Sequence, residues 1–338
     1  MTQTIIMGIL AAALLQATRV PVRAQVRAAL AESQESRIQA KGISIAYRSY
    51  GSPEGETVLL IMGVGGQLTD WPAELPAQLI KRGYRVVTYD NRDAGLSTRF
   101  ESSGLPDWPG IFALGAGKSP KVAYSLEDMA SDTVGLLDAL KVRRAHLVGV
   151  SMGGMIAQIV ATEHPERSLS LTSIMAGAGN PSLPPVAKPE VMSKVPPGPP
   201  SGDLAAARVR ELAMWKALAS PGYPEDDTAL MQRIERSMAR AYYPAGVERQ
   251  GAAVLTAGDR RMALRSVTVP TVVLRGADDP LVPVEASRDV AASIPGAELR
   301  IIPGMGHNLP VPLVSVIADA ILSAATRAGR GTPAGAPR

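Results

Sequence analysis

The 338-residue chain contains no cysteine, which removes a cysteine nucleophile, a disulfide framework and thiolate metal ligation from consideration. Histidine is scarce too, with three in all, so histidine-dependent chemistry has few places to reside. Runs of one charge are missing: 35 basic and 31 acidic residues are interspersed, the formal net charge is +4, and no basic stripe marks a nucleic-acid interface. No repeat period is visible, which excludes solenoids and propellers. No G-x-G-x-x-G follows a strand pattern, no phosphate loop is present, and no His or carboxylate spacing suits a metal, so neither cofactor nor metal is expected. The N-terminal apolar run, residues 5–15, is far shorter than the ~20 residues of a bilayer-spanning helix, and no stable membrane span is expected.

What is present is a composition 46% hydrophobic over a length that suits one large domain or a domain with a sizeable insertion. Residues 1–24 read as a secretory leader, with small residues around Ala24 resembling a cleavage site before Gln25, although no Lys or Arg precedes the apolar run. Export to the periplasm or exterior is the expectation; the alternative is an uncleaved N-terminal helix on a cytoplasmic protein.

Beyond the leader, residues 37–39 and 43–50 flank Lys41-Gly42 as a hairpin. Short runs rich in Val, Ile and Leu follow at 57–62, 84–89, 145–150, 169–175, 271–275 and 299–302, as expected of strands covered on both faces. Helical patterns at 75–82, 126–140, 152–164, 284–294 and 314–326 alternate with them, predicting an α/β fold with a mostly parallel, doubly wound sheet. The core spans 35–179 and 266–327. Residues 180–265 break the rhythm with a Pro-rich entry and helical patterns at 204–218, 228–242 and 247–258, read as a helical lid or cap. A Gly, Pro and Ala tail, 329–338, has no apolar period and is expected to be disordered.

Three segments carry chemistry. GVSMG, residues 149–153, lies between a strand pattern and an apolar helix; a sharp strand-to-helix turn there exposes a nucleophilic Ser151, and flanking glycines remove clashing side chains. The helix N-terminus beneath favours negative charge on a substrate oxygen. Among the histidines, His146 lies in a strand and His164 closes a helix before Pro165, whereas His307, in the loop GMGHNLP, follows in the order that a serine, acid and base of this arrangement require. RGADDPLVP, residues 275–283, supplies an acid at a strand end to hold the imidazole tautomer, with Asp278 and Asp279 as competitors and ordinary turn chemistry as the other use of either.

These blocks, with IMGVGGQLTDWP (61–72) and YDNRDAGLST (89–98), resemble the α/β-hydrolase superfamily from Ile43 to Thr326, in the branch of aclacinomycin methylesterase-like carboxylesterases. The resemblance implies an α/β-hydrolase fold and places the acid fourth in G-x-x-D-x-x-x-P, at Asp279. It also implies an oxyanion hole from the backbone N–H groups of Val64 and Met152, with Gly65 the alternative to Val64. Asp90, Arg92, Asp93 and Gly95 are expected to brace the loop after the fourth strand. The function so implied is a serine hydrolase acting on a small-molecule ester through Ser151, His307 and Asp279. Rivals are a proline-releasing aminopeptidase, a cofactor-free haloperoxidase-like relative, and a non-catalytic binding protein on the same scaffold. An aminopeptidase would need an acid in the insertion to hold the substrate amine, with Glu190, Glu211, Glu225, Asp226, Asp227 and Glu235 available.

Overall fold

The computed structural model describes residues 33–113, 120–183, 189–198 and 202–330. The expected leader, the tail beyond Arg330 and part of the Pro-rich entry lie outside these residues. The hairpin forms from β1 (Ser36–Ala40) and β2 (Ile43–Tyr50), and both turn residues, Lys41 and Gly42, take positive φ (49° and 85°), the geometry that matches strand twist in a two-residue turn.

Six further strands follow: β3 (Thr57–Ile61), β4 (Arg85–Tyr89), β5 (Ala145–Val150), β6 (Ser168–Ile174), β7 (Thr271–Gly276) and β8 (Glu298–Ile302). Their spatial order is β1-β2-β4-β3-β5-β6-β7-β8, antiparallel at β1/β2 and β2/β4 and parallel from β4 to β8. Alternation of side chains divides the apolar residues of the central strands between two cores. Leu59, Ile61, Leu147 and Val273 face one core with α3 (Leu126–Ala139) and α4 (Met152–Glu163). Val58, Leu60, Val148 and Leu274 face the other with α1 (Glu74–Ile80) and the C-terminal α11 (Val314–Arg330). The nearly unbroken apolar strands are therefore explained by cover on both faces.

The stretch Val311–Gly329 is long and apolar enough to cross a membrane, and here its buried Ile317, Ile321 and Ala324 pack on the sheet. This helix carries through Gly329 to Arg330, correcting the expected start of the tail: the Ala-rich turns before it propagate helix across a glycine that patterning alone reads as a break. Between β4 and α3 lies a short α2 (Trp108–Phe112). The insertion contains α5 (Pro189–Met192), α6 (Leu204–Ala217), α7 (Asp227–Arg240), α8 (Pro244–Thr256) and α9 (Arg261–Leu264); α10 (Val284–Ser293) follows β7.

Two features of the sheet position a site. Chain order reverses around β3, which lies between β4 and β5, and the carboxyl ends of the strands at such a switch point are where open α/β sheets bind ligands. Register sets Ile61 beside Gly149 and Gly276 beside Ile302, bringing the loop after β3 to the β5 turn and the loop after β7 to the one after β8.

Candidate active site

β5 enters α4 through Ser151, whose backbone lies at φ 55°, ψ −123°. A non-glycine residue there is strained by about 1–3 kcal/mol and persists because its surroundings over-determine it. Ser151 N–H donates to Ile174 O at 2.9 Å, pinning the turn to β6. A Cβ on Gly149 would lie 2.0 Å from Gly153 O, and one on Gly153 2.0 Å from Ile61 O, so close packing demands glycine at both.

Above this turn, His307 Nε2 lies 3.1 Å from Ser151 Oγ, and His307 Nδ1 lies 2.6 Å from Asp279 Oδ2. Both His307 and Asp279 are buried. The other carboxylate oxygen, Asp279 Oδ1, accepts from Leu281 N–H and Val282 N–H at 2.8 and 3.0 Å. Burial pushes the Asp279 pKa up, but the His307 hydrogen bond and the electrostatic pull of His307 and Arg275 outweigh it and hold the carboxyl below its usual value. Arg275, fully buried, places a guanidinium nitrogen 3.1 Å from Asp279 Oδ2 without hydrogen-bond alignment, and burial lowers its own pKa against the pull of Asp279. With Asp279 ionised, Nδ1 must carry the imidazole proton, which leaves the Nε2 lone pair for Ser151.

The two aspartates divide differently from the simple expectation. Asp279 serves both turn and imidazole. Asp278 accepts from Gly304 N–H at 2.7 Å, holding the distant loop that presents His307 rather than its own turn. That loop also leans on the insertion: His307 N–H donates to Leu218 O (2.9 Å), Gly306 N–H to Ser220 Oγ (2.8 Å) and Gly222 N–H to Gly304 O (2.9 Å).

The loop after β3 passes beside the same serine; a Cβ on Gly63 would lie 3.1 Å from Ser151 Cβ. Gly65 N–H is engaged, donating to Gln250 Oε1 at 2.7 Å, whereas Val64 N–H has no acceptor among the described residues. Met152 opens α4, where the first N–H groups have no intrahelical acceptor.

Asp90 braces the loops after β3 and β4 through Leu68 N–H (2.7 Å) and Leu96 N–H (2.9 Å), and Asp93 accepts from Phe100 N–H and Tyr124 Oη. Both also fasten the insertion: Arg240 of α7 meets Asp90 at 2.7 Å, and Arg249 of α8 meets Asp93 at 2.7 Å. Sequence reasoning missed Arg240, Arg249, Gln250 and Arg275. Only Arg275 left a trace, as a charge closing an otherwise apolar strand.

His146 is buried, bonded to Ser170 Oγ and Glu56, and His164 caps the C-terminus of α4. Of the acids available to an aminopeptidase, Glu211 lies beside Arg210, Glu225 pairs with Arg233, Asp227 pairs with Lys216 and Asp226 caps α7, while Glu190 and Glu235 are exposed. Trp215 lies beneath the Arg233 guanidinium at 4.3 Å. Among the described residues no cluster of His, Asp and Glu could hold a metal.

The family model described as the alpha/beta hydrolase fold matches residues 56–311. Rhodomycin D methylesterase of Streptomyces peucetius is 30% identical over 293 residues, covering 80% of this chain and 91% of that protein. A protein assigned as a carbamate hydrolase in Variovorax paradoxus is 30% identical over 302 residues, covering 85% and 98%. A solved hydrolase from Pseudomonas aeruginosa PA01 superposes with a TM-score of 0.61 at 28% identity, over 86% of this chain and 97% of that one.

Proposed function

The chain belongs to the α/β-hydrolase fold family, and from that premise we propose that this hydrolase is a serine esterase cleaving small-molecule carboxylic esters through an acyl-enzyme. The observation that carries the reading is the hydrogen-bonded run from Ser151 Oγ through His307 to Asp279, beside free N–H groups at a helix start. In this reading Ser151 Oγ attacks the ester carbonyl carbon as its proton passes to His307 Nε2, and Asp279 stabilises the imidazolium. Charge accumulating on the carbonyl oxygen is held by the N–H groups of Met152 and Val64, each such donor contributing about 10²–10³-fold. Collapse breaks the bond to the alcohol, which leaves with the Nε2 proton. Water then gives a proton to Nε2 and its oxygen to the acyl carbon, and Ser151 departs with that proton.

Likeness to the methylesterases supports methyl esters as substrates, and likeness to the carbamate hydrolase makes carbamates the natural competing substrates. Turnover of matched methyl esters, nitrophenyl esters and carbamates, with peptide mapping after a fluorophosphonate, tests the reading. Ester turnover and an adduct on Ser151, both lost in Ser151→Ala, are expected. Labelling that survives in Ser151→Ala would overturn the nucleophile assignment, and a chain that neither labels nor turns over would be a binder instead.

A further inference from the structure

We propose that Gln250, on α8 of the insertion, is a positioning residue that sets the loop after β3 so that Val64 N–H faces the oxyanion; this rests on the reading of Ser151 as nucleophile. Gln250 is fully buried and both ends of its amide are used. Oε1 accepts from Gly65 N–H at 2.7 Å and Nε2 donates to Arg92 O at 2.7 Å, partners 185 and 158 residues away in the chain. Only one orientation of the amide satisfies both, since a flip would set NH2 against N–H and carbonyl against carbonyl.

Loop geometry turns that bond into a choice between donors. Gly66 N–H closes onto Gly63 O at 3.1 Å, so Val64 and Gly65 are the two central residues of a tight turn, and Gly65 has φ 70°. Their N–H groups belong to successive peptide planes. Holding that of Gly65 toward Gln250 leaves that of Val64 as the member able to turn to Ser151. The same helix face supplies a second restraint: Val247, three residues earlier, packs so closely that a Cβ on Gly65 would lie 2.9 Å from Val247 Cγ2. The far end of Gln250 holds Arg92 O, next to Asp93, which Arg249 grips. α8 is thereby anchored to the loop after β4 and seats the loop after β3. Competence of the oxyanion site then depends on a helix of the insertion, although Gln250 touches no substrate.

The test compares Gln250→Met, of similar length and without hydrogen bonds, with Gln250→Glu, which keeps an acceptor for Gly65 N–H. Each is measured for kcat and KM on a nitrophenyl ester, for inhibition by phenylboronic acid as a tetrahedral mimic, and for melting temperature. Gln250→Met is expected to lower kcat by about 10–100-fold through misplacement of a donor, with boronate affinity falling in parallel and KM within about threefold. Gln250→Glu should lose less. A Gln250→Met protein that keeps kcat and boronate affinity within twofold, or equal losses in both variants, would overturn the proposal. Should Gln250→Met not fold, amide exchange in the unmodified protein decides: slow at Gly65 and fast at Val64 is expected, and fast exchange at Gly65 refutes it. Ser151→Ala separates this from the underlying reading, because turnover surviving there removes the nucleophile whatever Gln250 does.

Discussion

At Asp279 one carboxylate performs two duties, and the pairing predicts how its amide replacement behaves. In Asp279→Asn the N–H groups of Leu281 and Val282 retain the oxygen, so the amide NH2 must face His307 Nδ1 and impose the wrong tautomer. Turnover is expected to drop by as much as ~10⁴-fold with an unchanged circular dichroism spectrum. Asp278→Asn keeps an oxygen for Gly304 N–H, so steady-state rates should stay near those of the unmodified protein while thermal melts show a loss of up to ~1 kcal/mol. If the milder effect falls on Asp279, the assignment of the orienting acid is wrong. Ser151 and His307 were legible because each sits in a local pattern, a glycine-flanked serine between strand and helix and a glycine-flanked histidine after the last strand. The choice of Asp279 over Asp278 needed the family spacing, because adjacent residues at a strand end look alike until their side chains are seen to diverge.

Among the elements, strands buried on both faces left continuous apolar runs and were readable within a residue or two. The short α2 was not: Pro109 and Gly110 interrupt it, and only five residues form it after the Asp107 cap. The insertion helices showed in their periodicity, but their docking did not, since Arg240, Arg249 and Gln250 occupy ordinary helix positions and find partners more than a hundred residues away. That docking makes the lid proposal more specific. α7 and α8 are bolted to the core, so Arg249→Met should leave Asp93 buried without its cation and cost about 3–5 kcal/mol in denaturant unfolding. A loss below about 1 kcal/mol would show that the ion pair does not hold α8. A lid role for the insertion is a proposal that deletion of residues 180–203, part of which lies outside the described residues, would test: ester chain-length preference should change more than melting temperature, and identical preference would argue against it.

For the molecule as a whole, acid sensitivity should have a component remote from the candidate site. Burial pushes the His146 pKa below its usual 6.5 and Arg144 adds to this, while Glu56 opposes it. Below pH 6.5 the unfolded chain takes up a proton that the folded chain resists, so stability is full above that pH and declines as pH falls toward the folded value. Melting temperatures followed from pH 7 to 5 should fall, and His146→Gln should flatten part of the slope; an identical slope would remove His146 as a contributor. Export is likewise proposed, with a new N-terminus near Gln25 expected by mass spectrometry of protein from the native host and an intact Met1 refuting it. The order of the chain carries a last consequence. Ser151 lies before the insertion and Asp279 and His307 after it, with β6 and β7 as neighbours across the divide. Broken within the insertion, the polypeptide would yield one piece holding Ser151 and another holding Asp279 and His307, each with an unpaired apolar strand edge inviting the other. Under the proposed esterase reading neither piece hydrolyses an ester by itself, and recovered turnover on mixing would make the protein a two-input reporter whose signal is the meeting of its own halves.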